Sequence, residues 1–236
     1  MSTSLLFAHP RVIALRNRLR QNPLARMLYS VVAGGGDYEA RFSRELLGSV
    51  RAGDIVWDVG ANVGFYATQF AQRGAANVVC FEPAPDAVAA LQRRVAETSA
   101  AESSIRIMPI ALGSQRATAT FSADGASPNN QIVAKANGHP TVDVQVYPGD
   151  EAQKEFALPS PNVVKIDVEG YELEVIEGLS GVLGSRSVRS VFVEVHFSLL
   201  HNRGLDDAPA TILQTLRRQG FEVRWVDPSH LGAFRH

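Results

Sequence analysis

Ile55-Val56-Trp57-Asp58-Val59-Gly60-Ala61-Asn62-Val63-Gly64-Phe65-Tyr66 is the stretch that decides the fold. Residues 55–59 are apolar and β-branched or aromatic except for Asp58, which suits a strand. A turn with glycines at 60 and 64 follows, and residues 64–73 read as a helix with Gly74 as its C-terminal cap. Glycine lets the backbone turn sharply and approach a ligand closely. A helix N-terminus also presents unpaired amides and a partial positive charge. The carboxylate of a bound amino-acid moiety is expected there.

Strand-length apolar runs alternate with helical stretches outward from this turn. Residues 78–82 form the next strand, leading through Pro83 and Pro85 into a helix to about residue 100, with Val88, Leu91 and Val95 at helical spacing. Further strands are expected at 105–108, 163–167, 191–195 and 222–226, with helices near 173–183 and 208–219. That alternation is the mark of a doubly wound α/β domain with a mostly parallel sheet covered on both faces. Two alternating runs, 118–122 and 141–147, fall between the third and fourth strands and are expected to add a small β insert.

The chain of 236 residues, 45% hydrophobic and 20% charged, is long enough to bury one sizeable core, and its composition is not that of a disordered protein. A formal net charge of -1 offers no general attraction to nucleic acid. The single cysteine, Cys80, lies in an apolar run and reads as a core residue of a reducing compartment. With no run of about 18 apolar residues and no signal-peptide pattern, a cytoplasmic protein without a transmembrane segment is expected. Residues 1–36 carry Arg11, Arg16, Arg18, Arg20 and Arg26 ahead of the first acidic residue, Asp37. They read as a basic helical segment preceding a domain at 37–236. The segment is either a solvated face, a surface for anionic partners, or a contact in a homo-oligomer.

Glu82, at the end of the second strand and about 20 positions after the glycines, is placed to accept the two hydroxyls of a ribose. A nicotinamide-dependent oxidoreductase would share that acid. The dinucleotide fingerprint, however, needs G-x-G-x-x-G, and Asp58 would set a negative charge beside the pyrophosphate. The same charge suits the ammonium or sulfonium of S-adenosylmethionine.

Three blocks resemble the FkbM-type methyltransferases: the turn from Asp58 to Tyr66, Phe81-Glu82-Pro83, and Lys165-Ile166-Asp167-Val168-Glu169-Gly170-Tyr171-Glu172. Weaker similarities are Asp37-Tyr38-Glu39, Ala111-Leu112-Gly113 and Val193-Glu194-Val195-His196. The resemblance implies a seven-stranded Rossmann-like methyltransferase sheet whose last strand is antiparallel. It also implies O-methylation of a hydroxyl on a sugar, glycolipid or polyketide-like metabolite. By that resemblance Asp58, Gly60, Asn62 and Gly64 hold the methionine end, Glu82 the ribose, and Ala111 with Leu112 the adenine, while Tyr38 and Glu39 close the pocket. Ala61, Phe65, Tyr66 and Pro83 complete the expected cofactor contacts.

Methyl transfer to an alcohol needs a base near the methyl group. Asp167, Glu194 and His196 fall at the carboxyl ends of strands, where this fold gathers ligands. His196, with an ordinary pKa near neutrality, is the expected base, with Glu194 orienting it or binding the acceptor and Asp167 positioning cofactor or acceptor. The alternative is a divalent ion held by Asp167, Glu169, Glu194 or His196. Asn129, Asn130, His139 and Glu169 are expected acceptor contacts, although Glu169 could instead cap a helix starting near Tyr171. His201 and His230 read as solvated loop histidines, and Trp57 and Trp225 as core. A noncatalytic cofactor-binding partner subunit is the third reading, which the retained polar set disfavours.

Overall fold

The computed structural model describes residues 38–98, 104–122 and 141–235. The basic segment 1–36 and the expected acceptor contacts Asn129, Asn130 and His139 lie outside them. The elements on which the site depends are α1 (Tyr38–Ser49), β1 (Ile55–Val59), α2 (Phe65–Gln72), β2 (Asn77–Phe81), α3 (Pro85–Glu97) and β3 (Ile105–Met108). After the short strands β4 (Ala111–Gly113), β5 (Ala117–Ser122) and β6 (Thr141–Pro148) come α4 (Gly149–Glu155), β7 (Val163–Ile166), α5 (Glu172–Gly178) and α6 (Ser180–Gly184). The chain continues through β8 (Ser190–Glu194), α7 (Phe197–Asn202), α8 (Ala208–Arg218), β9 (Glu222–Trp225) and β10 (His230–Phe234).

Seven strands form one sheet in the order β3-β2-β1-β7-β8-β10-β9. From β3 to β8 the neighbours are parallel, and β10 runs antiparallel to both β8 and β9. Strand order reverses between β1 and β7, so the loops beyond their carboxyl ends diverge and leave a crevice there. The insert is a three-stranded sheet, β4-β6-β5, lying between β3 and β7 in the chain. The doubly wound architecture and the β insert agree with the sequence reading.

The strands are apolar on both faces because both faces are covered. Trp57, Val59, Val79, Phe81, Val164, Ile166, Val191 and Val193 point to one side, into a core with α5, α6 and α8. Val56, Val78, Cys80, Val163 and Phe192 point to the other side, under α1, α2 and α3. By the same alternation Asp58 and Lys165 face this second side, and they are register partners on adjacent strands.

Three expectations are corrected. The stretch expected as one helix, 173–183, is two short ones, α5 and α6, and α5 packs closely on the insert, where a Cβ at Gly178 would lie 1.9 Å from the Gly113 carbonyl oxygen. His201 is exposed, as expected, but on α7 rather than in a loop, and it pairs with Asp206 at 2.7 Å. His230 is not a solvated loop residue: it begins β10 and is buried. Two turn residues, Asp227 and Ser229, and the ring of Phe42 at 3.9 Å close over it.

Candidate active site

A cavity of about 290 Å³ opens at the carboxyl ends of β1, β2, β7 and β8. One wall is Gly60, Asn62, Glu82 and Pro83, with Ala111, Leu112 and Phe81 providing an apolar flank. The opposite wall is Asp167, Glu169, Glu194 and His196, with Tyr171 beside them. Phe121 reaches in from β5 of the insert. Phe121 and Tyr171 had no assigned role in the sequence reading, because neither sits in a polar motif that marks a ligand.

The turn after β1 is held by its own hydrogen bonds. Gly60 and Ala61 donate N–H to the Phe81 carbonyl, at 2.9 and 3.2 Å, and Gly64 donates to Ala61 at 2.9 Å. Asn62, with φ of 48°, donates its N–H to Glu82 Oε2 at 2.8 Å, and Ala84 donates to Oε1 at 2.9 Å. These turn amides tie β1 to β2 and orient Glu82. A pyrophosphate would find none of these four amides free. Burial pushes the Glu82 pKa up against the pull of its two amide donors.

Gly60 and Gly64 are required by chain packing. Gly60 has φ of 76°, and a Cβ on it would stand 1.8 Å from the Asp167 carbonyl oxygen. A Cβ on Gly64 would meet Leu91 of α3 at 2.2 Å. Gly64, Ala61, Phe65 and Tyr66 lie outside the cavity lining. Tyr66 instead shares a hydrogen bond with Ser43 at 2.7 Å, and Phe65 points outward, 55% exposed. Tyr38 and Glu39 begin α1.

Asp58, expected at the methionine end, is completely buried and is not among the residues lining this cavity, and its Oδ2 has no hydrogen-bond partner among the described residues. Its carboxylate lies 3.1 Å from Lys165 Nζ, which donates as well to the Gly60 carbonyl at 3.2 Å and sits 3.5 Å from Asp167 Oδ2. Burial disfavours the Lys165 charge, but Asp58 and Asp167 outweigh it and hold the ammonium protonated. Lys165 thus connects the β1 turn to the carboxylates of the cavity.

His196 stands among carboxylates. Its Nδ1 lies 2.6 Å from Oε1 of Glu172, the first residue of α5, so Nδ1–H donates there and the ring orientation is fixed. The same Oε1 accepts the Gly170 N–H at 2.9 Å. His196 Nε2 then faces Glu169 Oε2 at 3.6 Å, Asp167 Oδ1 at 3.7 Å and Glu194 Oε1 at 3.8 Å. Burial opposes a charge on the ring, but the Glu172 hydrogen bond and the charges of Glu172, Asp167 and Glu169 push its pKa up to about 9. These surroundings raise the near-neutral value that made His196 the expected base. Glu169, at φ of 51°, does not cap the helix; it turns toward the cavity, and burial raises its pKa.

Glu194 has a second partner in His230, whose Nε2 lies 3.4 Å from Oε2. The far side of that imidazole is held by Asp227, 2.8 Å from Nδ1. Burial works against both charges, but the His230 hydrogen bond and charge prevail and keep Glu194 below its ordinary pKa.

A seven-stranded sheet of this order, with its cavity at the β1–β7 crevice and an acid directly after β2, defines a Rossmann-like protein of the methyltransferase type. The chain belongs to the FkbM methyltransferase family: the methyltransferase FkbM domain model matches residues 58–223. It is 34% identical over 153 residues to the hexuronic acid methyltransferase AglP of Haloferax volcanii, covering 65% of this chain and 60% of that protein. The chain thus spans about 60% of that relative's length. Among solved structures it is similar to methyltransferase FkbM from Methylobacillus flagellatus, with a TM-score of 0.52 and 18% identity, covering 77% of this chain and 43% of that one. Precorrin 8w decarboxylase of Methanobacterium thermoautotrophicum shares the fold at a TM-score of 0.50 and 15% identity, covering 84% and 90% of the two chains.

Proposed function

We propose that the protein is an S-adenosylmethionine-dependent O-methyltransferase acting on a hydroxyl of a sugar or sugar-containing metabolite. The observation that carries this reading is a single cavity with two chemically distinct ends. One end has an oriented carboxylate, Glu82, beside the apolar surfaces of Phe81, Ala111 and Leu112. The other end has a ring of proton acceptors around His196. The volume of about 290 Å³ falls just below the roughly 300–1,000 Å³ usual for small-ligand sites.

The residues present fit the cofactor. Each oxygen of Glu82 accepts one amide and keeps a lone pair for a ribose hydroxyl, and the apolar flank suits an adenine ring. When bound, S-adenosylmethionine supplies a methyl group on a sulfonium, already activated for in-line attack. What remains for the protein is to orient an acceptor hydroxyl and receive its proton. Asp167, Glu169 and Glu194, grouped around His196 Nε2, are the acceptors of that proton. Phe121 and Tyr171 offer faces for the apolar side of a sugar ring. The Haloferax volcanii relative is a hexuronic acid methyltransferase, which supports a sugar as acceptor.

Calorimetric titration with S-adenosylhomocysteine tests the reading. Micromolar binding is expected, weakened at least about tenfold by Glu82→Ala, since each hydrogen bond to a charged group contributes roughly 1.5–3 kcal/mol. Binding of NAD in place of S-adenosylhomocysteine would overturn it.

A further inference from the structure

We infer that Asp167, Glu169 and His196 form a divalent-cation site, of the manganese or magnesium class, on the acceptor side of the cavity. The ligand atoms of these three residues all lie within 4.8 Å of one another. The two carboxylate oxygens nearest His196 Nε2 stand 3.6 and 3.7 Å from it. Donors about 2.1 Å from an ion lie about 3.0 Å apart when adjacent and about 4.2 Å apart when opposite, so these separations bracket an ion without rebuilding the loop. All three side chains are partly exposed to the cavity and open to an entering ion.

The independent observation is Glu172. Its carboxylate is completely buried, takes no part in the donor set, and its Oε2 has no hydrogen-bond partner among the described residues. Through Oε1 it accepts the Nδ1–H of His196, which leaves Nε2 as the nitrogen turned toward Asp167 and Glu169. A buried carboxylate behind an imidazole is the outer partner that metal-bound histidines use, and it fixes both tautomer and ring orientation. An imidazole held only to neutralise acids would not need its far nitrogen fixed by another buried acid. Two carboxylates with one imidazole favour a hard ion that tolerates nitrogen, which is the manganese and magnesium class.

The cation's role rests on the methyltransferase reading. An ion at this position would bind two neighbouring acceptor oxygens, such as a vicinal diol or a hydroxyl beside a carboxylate, and acidify one of them. It would also let an acidic sugar approach a wall that is otherwise negative. Acceptors lacking a second oxygen next to the reacting hydroxyl would then be poor substrates.

The test is electron paramagnetic resonance titration of the metal-stripped chain with Mn²⁺, which reads the free ion directly and needs no turnover. One Mn²⁺ per chain is expected at micromolar concentrations, displaced by excess Mg²⁺. Glu169→Gln should weaken it about tenfold or more, and His196→Ala should abolish it. Glu169 is partly exposed, so its variant keeps the test decisive even if His196→Ala does not fold. No depletion of the free signal, or equal binding by wild type and Glu169→Gln, would overturn the site. Calorimetry with S-adenosylhomocysteine on the same samples separates the two claims. Binding of that nucleoside without Mn²⁺ binding removes the cation site and leaves the methyltransferase reading. Mn²⁺ binding without nucleoside binding supports the site and removes that reading.

Discussion

Lys165 shows how a single side chain joins the core to the cavity. It is 3% exposed and lies between Asp58, whose ion-pair partner it is among the described residues, and Asp167 at the cavity wall. Removing one member of such a pair leaves an unpaired charge in a desolvated site, a loss of about 3–5 kcal/mol. Lys165→Met should therefore lower the urea-unfolding midpoint sharply, and adding Asp58→Leu should restore much of it. A small effect of Lys165→Met alone would mean that water reaches Asp58. The motif made both residues conspicuous in the sequence, but their contact could not be read there. It depends on β1 pairing with β7 in the register that sets residue 58 against residue 165, across a separation of 107 positions. Asp58 consequently read as a ligand contact alone, and its pairing with Lys165 was hidden. The role of Glu172 was hidden for the same reason, since only the packing of α5 brings it to His196.

Among the elements, the turn between β1 and α2 was the most legible and was still partly misread. Glycines at 60 and 64 announced a tight turn, and the turn is there. Each glycine, however, also makes room for a neighbouring element: Gly60, which lines the cavity, for the backbone of residue 167, and Gly64 for Leu91. Gly60→Ala places a methyl 1.8 Å from a carbonyl oxygen at a φ of 76°, so β1 and β7 must separate or the turn must rebuild. A loss of several kcal/mol is expected in denaturant unfolding, beyond the roughly 1 kcal/mol that a positive φ costs alanine by itself. Near-native stability would show that the β7 loop yields freely. Strands β1, β2, β7 and β8 were visible because both faces are buried and the runs are continuously apolar. β10 was not, because His230-Leu231-Gly232-Ala233-Phe234 starts on a histidine and carries a glycine that Phe234 and Val226 crowd.

At the scale of the whole molecule, β10 lies beyond residues 58–223, the span matched by the family model, yet it completes the sheet and brings His230 to Glu194. The charges facing that imidazole are Glu194 from β8 and Asp227 from the β9–β10 turn, with Phe42 of α1 stacked on the ring. Burial would lower its pKa, but the hydrogen bonds and charges of Asp227 and Glu194 raise it to about 9. A histidine raised from about 6.5 contributes stability that is complete below pH 6.5 and is lost as pH rises through 9. The contribution is on the order of 3 kcal/mol. Asp227 and Glu194 are both held below their ordinary values, so their share is present above pH 4–5 and is lost only on further acidification. Stability should therefore be highest between about pH 5 and 6.5 and decline toward pH 9.5. Urea unfolding across that range in the presence of a chelator, which keeps any cation from binding at His196, measures the decline. His230→Gln should be less stable than wild type at pH 6 and converge with it near pH 9.5, whereas parallel pH profiles for the two proteins would show that His230 is neutral in the folded chain.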